Sequence, residues 1–406
     1  MSFVPKIYKN AYSGLSPATW WLSVVMLINR SGTMVVPFMT LYMTQALHYN
    51  IAKAGMVMAI FGAGAVCGGF LGGRLTDKFG FYNIQLSALL CGGAMFIVLG
   101  QMTSYLAICI CTFVLAVLNE SFRPANSTAI AQYSNEENRT RCYSLNRLSI
   151  NLGFAVGSAI GGFIASRDYH LIFWIDGLTN TGAALLLRTV LSPQRNVQTP
   201  SKKDKQSQPK VKGRSPYADK QYMFFVLLTI MFAYTFFQLF TTVPIFYKNQ
   251  LKLSEFTIGS IMALNGLIIA LVEMVLIFKL EQKKKNLQFI SLGIFLVAVS
   301  FLVYNVIPGM LMVAVISTLF ITAGEMLSMP FMNSFMISRT DENNRGQYAG
   351  LFTVAWSIAQ VIGPYTGTLI ADTYGFNSLW WCIVAMSVAT ALGFRYLQHR
   401  VERKSN

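Results

Sequence analysis

Six ionisable side chains stand inside otherwise apolar stretches of this sequence: Arg30, Glu120, Arg123, Asp176, Glu273 and Glu325. A charge on a membrane helix costs about 2.5–3.5 kcal/mol by insertion scales, so such groups face a partner or an aqueous cavity and mark substrate or proton paths. Arg30 lies deep in the first apolar run, beside Asn29 and seven residues before Pro37. It is too far in to snorkel easily and suits an anionic group or a carboxylate partner. Glu120 and Arg123 sit at i and i+3 on one helix face and can neutralise each other. Alternatively Arg123 meets substrate while Glu120 competes for it, with Pro124 loosening the helix just beyond. Glu325, in "LFITAGEMLSMP", has no basic residue within a helical turn. Loss of solvation there favours the neutral acid, which makes Glu325 the first choice for a coupling proton. Glu120, Asp176 and Glu273 are the further proton-handling candidates. Arg30, Asn29 and Arg123 form the polar part of the expected substrate-binding set, and Tyr234, Gln238, Trp356 and Gln360 its aromatic and amide lining. Such aromatics serve plain helix packing equally well.

The elements that must position these residues follow from composition. Of 406 residues, 54% are hydrophobic and 12% charged. The mean hydropathy is +0.49, and so little polar surface cannot coat a soluble globule of this size. Apolar stretches long enough to cross the bilayer recur twelve times, at 19–44, 54–75, 83–101, 105–127, 144–166, 170–189, 222–247, 256–279, 287–306, 310–335, 346–370 and 378–397. Open sheets cannot satisfy their edges in lipid, so the expected fold class is an all-α membrane protein of twelve transmembrane helices. The net charge of +16 reflects topology and not nucleic acid: 26 Lys and Arg fall on the side of both termini and 4 opposite. By the positive-inside rule both termini are cytoplasmic, and the first span is retained as a helix and is not a cleaved signal. The six cysteines lie in or beside the apolar spans without metal spacing and are expected to be buried thiols. The three histidines, His48, His170 and His399, stand at span ends or in tails. No metal set, nucleophile elbow or phosphate loop is legible, which argues against an enzyme, a metal or a cofactor.

A polar, basic stretch over 192–220 divides the chain, giving 1–190, a cytoplasmic linker at 191–220, and 221–406 as two six-helix halves. At an offset of 206, Pro124 matches Pro330, Glu136 Glu342, Asn138 Asn344, Arg139 Arg345, Gly157 Gly363, Gly161 Gly367 and Trp174 Trp380. A shared register over about 50 residues indicates a duplicated unit, and parallel repeats around a midplane cavity are a transporter architecture.

The stretch Gly73-Arg-Leu-Thr-Asp77-Lys78-Phe-Gly80 resembles the G-x-L-a-D-r-x-G-r-k motif of the major facilitator superfamily, with Phe81 and Tyr82 where that motif has two basic residues. The resemblance implies the major facilitator fold and a conformational latch, so Gly73, Asp77, Lys78 and Gly80 are the gating candidates. Gly153-x-x-x-Gly157-Ser158-x-x-Gly161-Gly162 is similar to the g-x-x-x-G-P-x-x-G-G motif of proton-coupled drug exporters, Ser158 replacing the proline. Small residues at this spacing also promote plain helix packing. Thr112 stands near the place where many such exporters carry an arginine. "FRPANS" and "GEMLSMPF" resemble segments of proton-coupled oligopeptide transporters and carry Arg123 and Glu325 onto a basic and an acidic functional position. That family's first-span E-x-x-E-R stands here as Met26-Leu-Ile-Asn-Arg30.

The expected activity is proton-coupled transport by alternating access, exporting amphipathic small molecules from a cell of bacterial type, with the chain as a monomer in the inner membrane. Its expected partners are a small-molecule substrate, protons and the lipid bilayer. Symport of a peptide or another anionic nutrient, or lipid flipping, remain alternatives on the same fold. A transceptor or assembly factor would bind ligand without flux.

Overall fold

The computed structural model describes residues 14–134, 139–191, 215–281, 285–307, 311–339 and 345–405. Most of the basic linker (192–214) lies outside the described residues, as do Glu136, Asn138, Glu342 and Asn344 of the repeat. Every regular element among the described residues is helical.

In chain order these are α1 (Pro17–Ser31), α2 (Val35–Leu41, running on into a π-helical turn at Tyr42–Ala46), α3 (Ile51–Phe79), α4 (Phe81–Gly100), α5 (Tyr105–Tyr133), α6 (Arg139–Ala165) and α7 (Tyr169–Val190). After the linker come α8 (Lys220–Phe237), α9 (Thr242–Asn249), α10 (Glu255–Glu281), α11 (Asn286–Val306), α12 (Leu311–Ser338) and α13 (Arg345–Ser405), the last bent at Gly375, whose φ is 81°. Their starts follow local chemistry: Ser104 caps α5 by accepting from Ala107 N at 3.3 Å, and Asp168 caps α7 by accepting from His170 N at 2.8 Å. Ten segments among the described residues are long and apolar enough to cross a membrane. α13 counts once among them although Gly375 divides it, and α7 is not among them.

Contacts divide the chain into two compact units, Met1–Phe38 with Ile60–Val197 and Met39–Ala59 with Gln198–Asn406. Within the first, α1 packs on α6 and α7, and α4 on α5 and α7. Its core is aliphatic, built around Leu22, Val25, Leu89, Ala129, Ala184 and Leu187. A glycine ridge seats α3 on α5: a methyl at Gly64 would stand 2.5 Å from the Phe113 carbonyl oxygen and one at Gly68 2.4 Å from that of Val117. At the start of α1, Ser16 Oγ donates to the Tyr133 carbonyl at the end of α5, at 2.9 Å.

Within the second unit α11 packs on α12 and α13, and α8 on α13. Its core is aromatic, with Trp380 fully buried among Phe246, Phe301, Tyr304 and Phe376, the ring centroids 5.0–5.8 Å away. Residues 39–59 belong to this unit, where Gln45 Nε2 donates to Asn249 Oδ1 at 3.0 Å. His48 and Lys252, which follow α2 and α9, share a left-handed backbone, φ 55° and 53°. Both turns are closed alike. Leu47 N donates to Tyr42 O at 3.1 Å and Tyr49 N to Met43 O at 2.9 Å; Leu251 N donates to Phe246 O at 3.2 Å and Leu253 N to Tyr247 O at 3.0 Å. At the head of α8, Asp219 caps Gln221 and Tyr222, each N–H at 3.2 Å, and pairs with Arg339, whose Nε donates to Oδ2 at 3.1 Å.

Several expectations are corrected. The first span is not one helix: it breaks after Ser31 and restarts at Val35, because backbone N–H groups at the break bond a side chain of α7. The seventh span likewise breaks into α8 and α9. The second span does not end at 75, since α3 continues through the motif to Phe79. Only Gly80, with φ 83°, turns the chain there. Nor are all the cysteines buried; Cys109 and Cys142 are, whereas Cys67, Cys91 and Cys382 are exposed.

Candidate functional site

In the first unit, Arg30 ends α1 with its Nε buried and without a hydrogen-bond partner, and its electrostatic neighbours are Arg123 and Glu120. Glu120 and Arg123 pair across one turn of α5, Oε2 to Nε at 3.0 Å. The two are unequal: 68% of the Arg123 side chain is exposed against 14% of Glu120, so the guanidinium reaches outward from a sheltered carboxylate. This brings three of the expected residues together as two cations and one acid, a set that can exchange partners when an anion arrives.

The break below Arg30 is held from both sides. Asp176 of α7 is fully buried and accepts from Met34 N at 3.0 and 2.9 Å and from Val35 N at 2.8 Å. Asn29 Nδ2 donates to Asn180 Oδ1 at 2.8 Å, one turn along the same helix. From the other side, Gly153 and Gly157 of α6 lie against it: a methyl at Gly153 would meet Arg30 Cβ at 2.6 Å, and one at Gly157 the Ser31 carbonyl at 2.8 Å. The small-residue motif of the fifth span therefore seats the helix that carries Arg30. Ser158, in the proline's place, is fully buried, and its Oγ has no hydrogen-bond partner.

In the second unit, Glu325 is 6% exposed in mid α12, with Oε1 buried and without a hydrogen-bond partner. Among the described residues no basic group pairs with it. Asn265 of α10 donates to Thr322 Oγ1 at 2.8 Å, one turn before Glu325, and Glu273, also buried, is an electrostatic neighbour. Trp356 collects Phe232, Phe236, Phe237 and Phe352 around its ring at 5.7–6.4 Å, half-buried itself. Tyr234 Oη accepts from Thr366 Oγ1 at 2.8 Å, and Gln360 is half-buried on α13. Gln238 is different in kind: fully buried, it donates to the carbonyls of Tyr234 and Gly363 at 3.2 and 3.0 Å and accepts from Thr242 at 2.9 Å. A methyl at Gly367 would stand 2.2 Å from its Oε1, so this amide locks the break of the seventh span onto α13. Gly157 in one half and Gly367 in the other, though not equivalent in the repeat, each let a broken span close onto a neighbouring helix.

Of the gating candidates, Gly73 has open space where a Cβ would stand, Lys78 is exposed beside the Phe79 ring, Gly80 makes the turn, and the side chain of Asp77 lies outside the described residues. Sequence reasoning missed a buried amide chain, Gln85 Nε2 to Asn126 Oδ1 at 3.2 Å and Asn126 Nδ2 to Asn146 Oδ1 at 3.1 Å. It also missed the Asp219–Arg339 pair; three amides inside apolar spans, and an acid at a helix head, were the available signals.

A chain whose described residues form only helices, crosses the membrane repeatedly, is built as two units with broken helices, and holds a few ionisable side chains within the spans is a secondary-transporter design. Residues 21–364 match the model of the Major Facilitator Superfamily, and the chain belongs to that family. It is 24% identical over 400 residues to a Na(+), Li(+), K(+)/H(+) antiporter of Planococcus maritimus, covering 91% of this chain and 92% of that protein. It is 22% identical over 344 residues to Multidrug resistance protein 2 of Bacillus subtilis strain 168, covering 84% of each. Among solved structures, a peptide transporter POT in complex with sulfate superposes with TM-score 0.77 at 17% identity, covering 96% of both chains, a likeness of fold.

Proposed function

We propose that this transporter is a proton-driven antiporter that exports amphipathic small molecules by alternating access, with twelve spans, two six-helix halves joined by the linker, cytoplasmic termini and a monomeric state. The observation that carries the reading is the buried carboxyl of Glu325, paired with no basic group among the described residues and with one oxygen unbonded. A group so placed is held neutral at low cost and charged only at high cost, and a substrate that binds better to one of the two protonation states is thereby linked to the proton. The half-buried aromatic cluster at Trp356 supplies the apolar, polarisable lining that amphipathic molecules take. The multidrug and cation/proton antiporter relatives support this reading.

Two guanidinium groups near one carboxylate favour a second reading, in which Arg30 and Arg123 bind an anionic nutrient taken up with protons. The deciding experiment is flux in proteoliposomes with an imposed pH gradient, for wild type and Glu325→Gln. Export requires ethidium to move against the proton flow, with the variant uncoupled. Uptake of di- or tripeptides with the proton flow, and no movement of ethidium, would replace the first reading by the second.

A further inference from the structure

We infer that Asp176 is a positioning residue for Arg30: it holds the break in the first membrane helix at one register, and that register fixes where the Arg30 guanidinium stands. The inference rests on the proposed export and on the place of Arg30 in the substrate-binding set.

The geometry is closed on every side. Both carboxylate oxygens of Asp176 receive backbone N–H groups of residues 34 and 35, so the carboxylate replaces the preceding turn that the restarted helix lacks. The bonds are fully shielded from water, which strengthens them. Asn180, one turn on, donates to the Asp176 carbonyl at 2.8 Å and accepts from Asn29 at 2.8 Å. Asp176 therefore grips the residues after the break while Asn180 grips the residue next to Arg30 before it. Gly32, in between, lies so close to α7 that a methyl there would stand 1.7 Å from Thr179 Oγ1. With Gly153 of α6 also packed against Arg30 Cβ, the stem of Arg30 is held by two helices and its guanidinium stands in the neighbourhood of Glu120 and Arg123. An acid whose oxygens are occupied by three backbone bonds and whose surface is closed to solvent has neither access nor a spare site for substrate; its effect must pass through the helix it holds.

Two measurements test this, in a background with the native cysteines replaced. First, Arg30→Cys is labelled with a charged maleimide with and without Asp176→Asn. The amide variant offers one acceptor and turns a donor toward an N–H, so the register should loosen and the labelling rate change severalfold. An unchanged rate overturns the inference whatever the substrate is. Second, ethidium efflux from energised everted vesicles is compared for Arg30→Lys, Asp176→Asn and the double variant. Misplacement of a binding group by about 1 Å can cost up to roughly a hundredfold. Each single change is therefore expected to lower efflux at least tenfold, and the double no further than Arg30→Lys alone. Multiplying losses would show that Asp176 serves only the fold and would overturn the inference. If Arg30→Lys and Arg30→Ala leave efflux unchanged, the reading of Arg30 fails instead, while the labelling result still decides what Asp176 holds. Should Asp176→Asn not accumulate in the membrane, Asn180→Ala removes the neighbouring link of the same staple and is read in the same two ways.

Discussion

Replacing Arg339 by Met should destabilise the second unit, because it strands a buried carboxylate. Asp219 is nearly closed to solvent, 5% of its side chain exposed, and Arg339 is 21% exposed, with two of its nitrogens on the same carboxylate oxygen. Removing one partner of a buried pair costs about 3–5 kcal/mol because the other charge stays behind unpaired. Here the loss is smaller, since Asp219 keeps the N–H groups of Gln221 and Tyr222 and the Tyr348 hydroxyl at 3.4 Å. About 2–3 kcal/mol is expected, or roughly a 5–10 °C fall in Tm for a unit of this size. Asp219→Asn together with Arg339→Met removes the stranded charge while retaining a good helix cap, and should recover most of that fall. The assay is thermal unfolding of the purified protein in detergent. Melting of Arg339→Met indistinguishable from wild type, or a double variant that melts below the single one, would refute the reasoning.

Other outcomes follow from the same contacts. Trp356→Ala should weaken binding of aromatic amphiphiles such as ethidium by about 1–2 kcal/mol, roughly 5- to 30-fold. Tm should fall by only a few degrees, because the ring packs against four phenylalanines but is half-buried; titration of dye fluorescence and thermal unfolding check the two effects. Glu325→Gln should preserve dye binding and abolish the dependence of that binding on pH across the neutral range; persistence of the dependence would move the coupling proton to another group. Gly68→Val should be poorly tolerated, since the first carbon added already stands 2.4 Å from the Val117 carbonyl oxygen and the α3–α5 contact must open. Gly73→Ala on the same helix has open space and should be neutral in expression and melting.

What the sequence made legible was whatever depends on composition along one segment. Helical class follows from apolar length, the family from the resemblance carried by the Gly73–Gly80 motif, the Glu120–Arg123 pair from its spacing, and the lack of a basic residue within a turn of Glu325 from the residues beside it; that Arg30 stands near the pair was not legible. What escaped depends on which helices become neighbours. Asp176 reads as one more acid in a membrane span, and nothing local says that its oxygens meet the backbone 141 and 142 residues earlier. Gln238 reads as an amide fit for a cavity until Gly367 of a distant helix closes over it. The glycines of the fifth span were recognised by spacing, yet only their contact with Arg30 and Ser31 tells packing from transport chemistry, and here one contact serves both. The breaks at Gly32 and Gln238 were hidden for another reason: an apolar run shows no periodicity change where its backbone restarts.

The matching turns at His48 and Lys252 bear on descent. A left-handed backbone costs a residue with a Cβ about 1–2 kcal/mol, and glycine would be the cheaper occupant. Two unrelated side chains nevertheless hold the same geometry in the two halves, closed by the same pair of hydrogen bonds. A turn held by different residues 204 positions apart, close to the 206 of the repeated identities, is what a duplicated six-helix unit would leave. Internal symmetry in a chain whose identities have eroded is better sought in torsion angles than in letters.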